Sequence, residues 1–100
     1  MNVAPTVSEA IVTWTGWRSH NCPDRDEKRL VATYGEAIAR EILPRLRELE
    51  DDFYASDARY TAADLQEMSD IAVTHFRERH PEISDDAVRA LAWCYTFDFK

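Results

Sequence analysis

The sequence predicts an all-α fold: a compact bundle of about four helices, the second of them long and kinked. Three observations carry this. Apolar residues recur every three or four positions along most of the chain, helix-start residues stand just ahead of the apolar runs, and only two glycines interrupt 100 residues. A composition of 45% hydrophobic and 31% charged residues is that of a globular chain rather than a disordered one. Its length suits a single helical domain over residues 1–100.

The first helix is expected from about Val7 to Arg18. Thr6-Val7-Ser8-Glu9 is a capping-box pattern, and Val7, Ile11, Trp14 and Arg18 share one stripe. Against it, Ile11-Val12-Thr13-Trp14-Thr15 is rich in β-branched residues, which favour a strand. The second helix is expected to open near Pro23, with Asp24, Asp26 and Glu27 against its positive pole. Leu30, Tyr34, Ile38, Ile42, Leu46, Leu49 and Phe53 then keep one rhythm. Gly35 weakens that helix, and Pro44, which cannot bond the Arg40 carbonyl, is expected to kink it.

A turn over residues 55–59 precedes a third helix capped by Thr61, with Tyr60 stapled to Leu65. Its inward face is Leu65, Met68, Ala72, His75 and Phe76, with Ile71 on the flank and Pro81 beyond its end. Ser84 caps the fourth helix, where Asp85 and Asp86 favour the dipole and Ile83 reaches Val88. Val88, Leu91, Ala92 and Tyr95 form its stripe. From Trp93 the chain alternates aromatic and polar residues to Lys100, the period of a strand, so the helix is expected to fray or extend after about Tyr95. The alternative is a mostly α fold with a short two-stranded ribbon of residues 11–17 and 94–100.

Charge narrows the function classes. The formal net charge is −7, and residues 51–100, with five basic and eleven acidic side chains, carry −6 of it. Such a surface repels phosphates, so neither nucleic acid nor membrane is an expected partner, whereas a basic protein is. No secretory signal or membrane span is visible in the sequence, and a cytoplasmic location is the expectation. Cys22 and Cys94 are read as either free or paired, the first more common in a chain of this kind.

Chemistry is hard to find. His75 and His80 stand five apart, about 140° around a helix, and do not converge on one metal. His20 and Cys22 lack a second pair to complete four ligands. Gly16 and Gly35 stand alone and make no phosphate loop, Cys94 has no base beside it in sequence, and Asp51-Asp52 and Asp85-Asp86 look like helix-end charges. No catalytic residue, metal or cofactor is expected.

Aromatic residues, by contrast, exceed what the stripes use. Trp17, Tyr54, Trp93 and Phe97 fall off them, and large rings rimmed by charge are common anchors of protein interfaces. A partner-binding set of Trp17, Trp93 and Phe97, with Asp85, Asp86 and Asp98 supplying charge, follows. The expected function is a small acidic protein-binding module, in the class of inhibitors or immunity-type proteins that neutralise a basic partner. A homo-oligomeric structural or regulatory subunit is the alternative, ahead of a small-ligand protein or an enzyme built on His75, Cys94 and neighbouring tyrosines.

Overall fold

In the computed structural model, which describes residues 6–19 and 21–99 (Arg59 by its backbone only), Thr6 caps α1 (Val7–Thr15). Thr6 Oγ1 accepts from the Glu9 amide at 3.1 Å. The helix stops at Gly16 instead of continuing to Arg18, because Gly16 adopts left-handed φ 78°. Gly16 donates to Thr13 O at 3.3 Å and Trp17 to Val12 O at 3.2 Å, the paired return bonds that close a helix around such a residue. The β-branched run is therefore helical, and no strand occurs among the described residues. Burial decides this: Ile11 and Trp14 are 0% and 2% exposed, and that packing outweighs local propensity.

The long second helix is two helices. Asp26, not Pro23, opens α2 (Glu27–Tyr34) by accepting from Lys28 N at 2.9 Å. Pro23 stays in the preceding loop, which is pinned under α1 by bonds from Asp24 N to Thr15 O and from Asp26 N to Trp14 O. Arg29 adds two more, Nε to Thr13 O at 3.0 Å and Nη2 to Trp14 O at 2.8 Å, a second bond to each of these carbonyls in the last turn of α1. The break falls at Gly35, whose φ 91° and ψ 159° belong almost exclusively to glycine. Pro44 lies inside the following helix, α3 (Glu36–Tyr54), at an exposed position where solvent can serve the freed Arg40 carbonyl. The buried stripe of α3 runs through Ala39, Leu43, Leu46, Leu49 and Phe53, one position round from the expected Ile38 and Ile42.

The expected turn at 55–59 leads into a single helical turn, α4 (Ala58–Thr61), and the next cap moves from Thr61 to Asp64. Asp64 accepts from Glu67 N at 2.8 Å and opens α5 (Leu65–Arg79). Tyr60 and Leu65, the expected staple, are instead 77% and 43% exposed, while Met68, Ala72 and Phe76 form the buried face. Ser84 caps α6 (Asp85–Phe99) as expected, accepting from Ala87 N. This helix continues through the alternating tail to Phe99. It does so because it is apolar on more than one side: Ala87, Val88, Ala90, Leu91, Ala92, Cys94 and Tyr95 are all buried.

The chain is thus an all-helical compact globule, with five helices of eight residues or more and one helical turn among the described residues. α6 packs against α1, α3 and α5, and α2 lies across α1 and α3. Phe53, Phe76 and Tyr95 join α3, α5 and α6, with Phe53 centred 5.3 Å from Phe76 and 5.5 Å from Tyr95. No described helix is long and apolar enough to cross a membrane.

Candidate functional site

Gly16 ends α1 beside α6, and that turn delivers Trp17 onto Trp93. The two indoles meet edge to face, centres 5.5 Å apart at 61°, and each is half-buried. They form a wall of an open groove of about 270 Å³ whose other lining residues are Ser69 of α5 and Arg89, Ala92 and Thr96 of α6. One helical turn beyond Ser69 lies Leu65, and one turn beyond Trp93 lies Phe97, 43% and 39% exposed. The apolar surface therefore extends past the groove along both helices.

Of the six expected partner-binding residues, Trp17 and Trp93 come together here, and Phe97 stands one helical turn further along α6. The acidic three are placed otherwise. Asp85 pairs with Arg77 at 2.6 Å and Asp86 with Arg18 at 3.2 Å, all four side chains well exposed. Asp98 stands five positions after Trp93, about 140° around the helix, and belongs to a separate network. Sequence reasoning missed Arg89, Ser69, Leu65 and Thr96. Arg89, Trp93 and Thr96 do carry a signal, a spacing of four and three that puts them on one face.

Arg89 is exposed and forms no ion pair or hydrogen bond with any described residue. The Trp17 indole N–H is buried without an acceptor among the described residues, an arrangement folded proteins seldom tolerate without cause. Thr96 Oγ1 donates back to Ala92 O at 3.0 Å, which leaves its lone pairs able to accept.

The network around Asp98 ties three elements together. Arg25 reaches Glu50 of α3 and Asp98 of α6, each at 3.3 Å, and Tyr54 donates to Asp98 Oδ2 at 2.5 Å. Burial pulls the Arg25 guanidinium down, but Cys94, Glu50 and Asp98 together outweigh it and hold it above its ordinary value. Burial raises the Glu50 carboxyl above the ordinary carboxylate range against the pull of Arg25. Burial and the bond to Asp98 hold the Tyr54 phenol well above its usual value. Burial also pushes the Cys94 thiol up to about 11, which keeps it protonated and unreactive at neutral pH. Cys94 and Cys22 are both free, the former buried and the latter exposed.

Other polar clusters are internally satisfied. Ser56 Oγ lies 3.1 Å from His75 Nδ1 and also accepts from Ala58 N, fixing the turn into α4. His80 Nε2 lies 2.7 Å from Asp52 Oδ2, linking the end of α5 to α3. His75 and His80 thus point to different partners, and His20 lies outside the described residues. No group of three potential metal-ligating side chains occurs among the described residues. A larger cleft of about 490 Å³ between α1, α2 and the start of α6 is lined by Thr6, Ser8, Glu9, Val12, Thr13, Tyr34, Ser84 and Asp86. Its hydroxyls are largely engaged, Thr13 with Tyr34 at 3.1 Å and Ser8 with the Ser84 amide at 2.9 Å.

Fold and groove together define an all-helical domain with an open groove walled by two indoles. No protein-family model matches the chain, and no curated protein or solved structure matches it either.

Proposed function

We propose that this chain is a small acidic protein-binding module, in the class of inhibitors and immunity-type proteins, that docks a basic partner across the α5–α6 face. The observation that carries the reading is the half-buried Trp17–Trp93 pair, opening onto a groove flanked by exposed Leu65 and Phe97. Rigid aromatic anchors at the centre of an interface supply much of its binding energy. On α5, the helix that carries Ser69, Glu67 and Asp70 are exposed, as is Asp64 at its N-cap, and none of the three forms an ion pair with a described residue. Charges so placed speed the approach of a basic partner more than they tighten the final complex. An enzymatic role draws less support, since the Cys94 thiol is held protonated and Ser56 and His75 serve a turn.

The test is affinity capture followed by titration of the captured protein. Trp93→Ala is expected to weaken that complex by at least about 2 kcal/mol, roughly thirtyfold, while far-UV ellipticity and the urea midpoint change little. Association is expected to slow as salt is raised. A complex indifferent to both Trp93→Ala and salt overturns the proposal. A concentration-dependent dimer that Trp93→Ala abolishes replaces it with self-assembly through the same face.

A further inference from the structure

We propose that the groove receives the last residue of a partner chain, a large apolar or aromatic side chain whose terminal carboxylate pairs with Arg89. This rests on the docking reading above and names the chemistry of the anchor. Size comes first. The groove holds about 270 Å³, just below the roughly 300 Å³ at which pockets for drug-sized ligands begin. From Arg89 to Thr96 it spans two turns of α6, about 10 Å of helix. That is room for one residue, not for a helix or a strand. Walls of Trp17, Trp93 and Ala92 make the space apolar and favour a ring packed edge to face against the indoles.

Charge then selects the occupant. Arg77 and Arg18, the other arginines facing α6 from α5 and from the turn after α1, are already matched by Asp85 and Asp86. Arg89 lines the groove and forms no ion pair with a described carboxylate, Asp85 and Asp86 on its own helix being paired elsewhere. A guanidinium beside an apolar pocket calls for an apolar group and a carboxylate a few ångströms apart. A C-terminal residue carries both on one Cα. The polar atoms of the groove suit the rest of such a guest: Thr96 Oγ1 can accept the guest's amide N–H, and Ser69 Oγ can donate to its carboxylate or carbonyl. Trp17 Nε1, buried without an acceptor, gains one if the indole turns toward an entering oxygen.

The probes are three tripeptides: acetyl-Gly-Gly-Phe as the free acid, the same peptide as its amide, and acetyl-Phe-Gly-Gly as the free acid. Binding is read from the indole N–H signals of Trp17 and Trp93 in nitrogen-15 spectra of the whole chain, assigned with Trp→Phe variants. The first peptide is expected to shift both signals and to bind about tenfold tighter than its amide. Arg89→Gln should erase that difference with the spectrum otherwise unchanged, and Arg89→Lys should keep part of it. Absence of any indole shift overturns the inference, as does equal binding of acid and amide. Equal binding of acetyl-Phe-Gly-Gly also overturns it, since the ring would then not need to be terminal. None of these failures touches the captured complex or its sensitivity to Trp93→Ala, so the docking reading stands or falls by its own test.

Discussion

Arg25 offers the sharpest test of how the fold is held. Its guanidinium lies 3.3 Å from Glu50 and 3.3 Å from Asp98, with the three side chains 32%, 21% and 31% exposed. At an effective dielectric of about 20, each contact is worth about 5 kcal/mol of attraction before desolvation. Partial exposure and the ordering of three long side chains reduce that heavily. Removing the cation leaves a half-buried Glu50 carboxylate uncompensated, and breaking such a pair costs more than the pair contributes net. Arg25→Ala is therefore expected to lower unfolding stability by roughly 2 kcal/mol at pH 7. Burial already raises the Glu50 carboxyl, and loss of Arg25, which lowers it, raises it further. The sign follows: the defect is full where Glu50 is charged and shrinks as pH falls and the carboxyl takes up its proton. Glu50→Gln in the Arg25→Ala background should recover much of the loss. The assay is urea unfolding at pH 7 and pH 4.5 for the four members of the cycle. A loss under about 0.5 kcal/mol, or one that is the same at both pH values and untouched by Glu50→Gln, refutes the reasoning.

Three further outcomes are expected. A thiol reagent should titrate one cysteine, Cys22, in the native chain and two in denaturant; two rapid equivalents from the native chain would mean Cys94 is accessible. Because burial moves the Cys94 thiol from 9.0 to about 11, the folded chain holds a proton that the unfolded chain loses. Its contribution to stability is complete below pH 9 and falls by on the order of 2 kcal/mol as pH rises to 11. Cys94→Ala should flatten that part of the profile, and an unchanged slope would remove Cys94 as its source. Gly35→Ala meets no atom within 4 Å of the added Cβ, so its cost is backbone alone. About 1–3 kcal/mol is expected at φ 91°, measured by thermal unfolding, and a neutral result would show that the α2–α3 junction adapts.

The helical class was legible because its signals are local. The Thr6 and Ser84 caps are each contained in four residues; the hydroxyl of each accepts from the amide three positions on, as expected. The breaks were harder. Pro44 and Gly35 look alike in sequence as interruptions, and their order of importance depends on the course of the chain at each point. Pro44 is exposed and loses one bond, whereas Gly35 sets the corner between α2 and α3. The tail misled for a different reason: strict alternation reads as a strand only if one face meets solvent. Packed against α1, α3 and α5, α6 buries Cys94 from one set and Tyr95 from the other, while Phe97, Asp98 and Phe99 stay exposed. At the groove, the rings were visible as a surplus over the stripes, but Arg89 was not, because its meaning comes from Asp85 and Asp86 being spent on other arginines.

The pairing of α1 with α6 also governs how the chain reaches this fold. The Ser84 amide finds its acceptor on Ser8, 76 residues earlier, and the first and last helices face each other across everything between them. Helical domains usually fold fast because their contacts are near neighbours in sequence. Here the loop joining the two ends must close before the deepest surface is sealed, so refolding should run slower than for a simple up-and-down bundle of equal size.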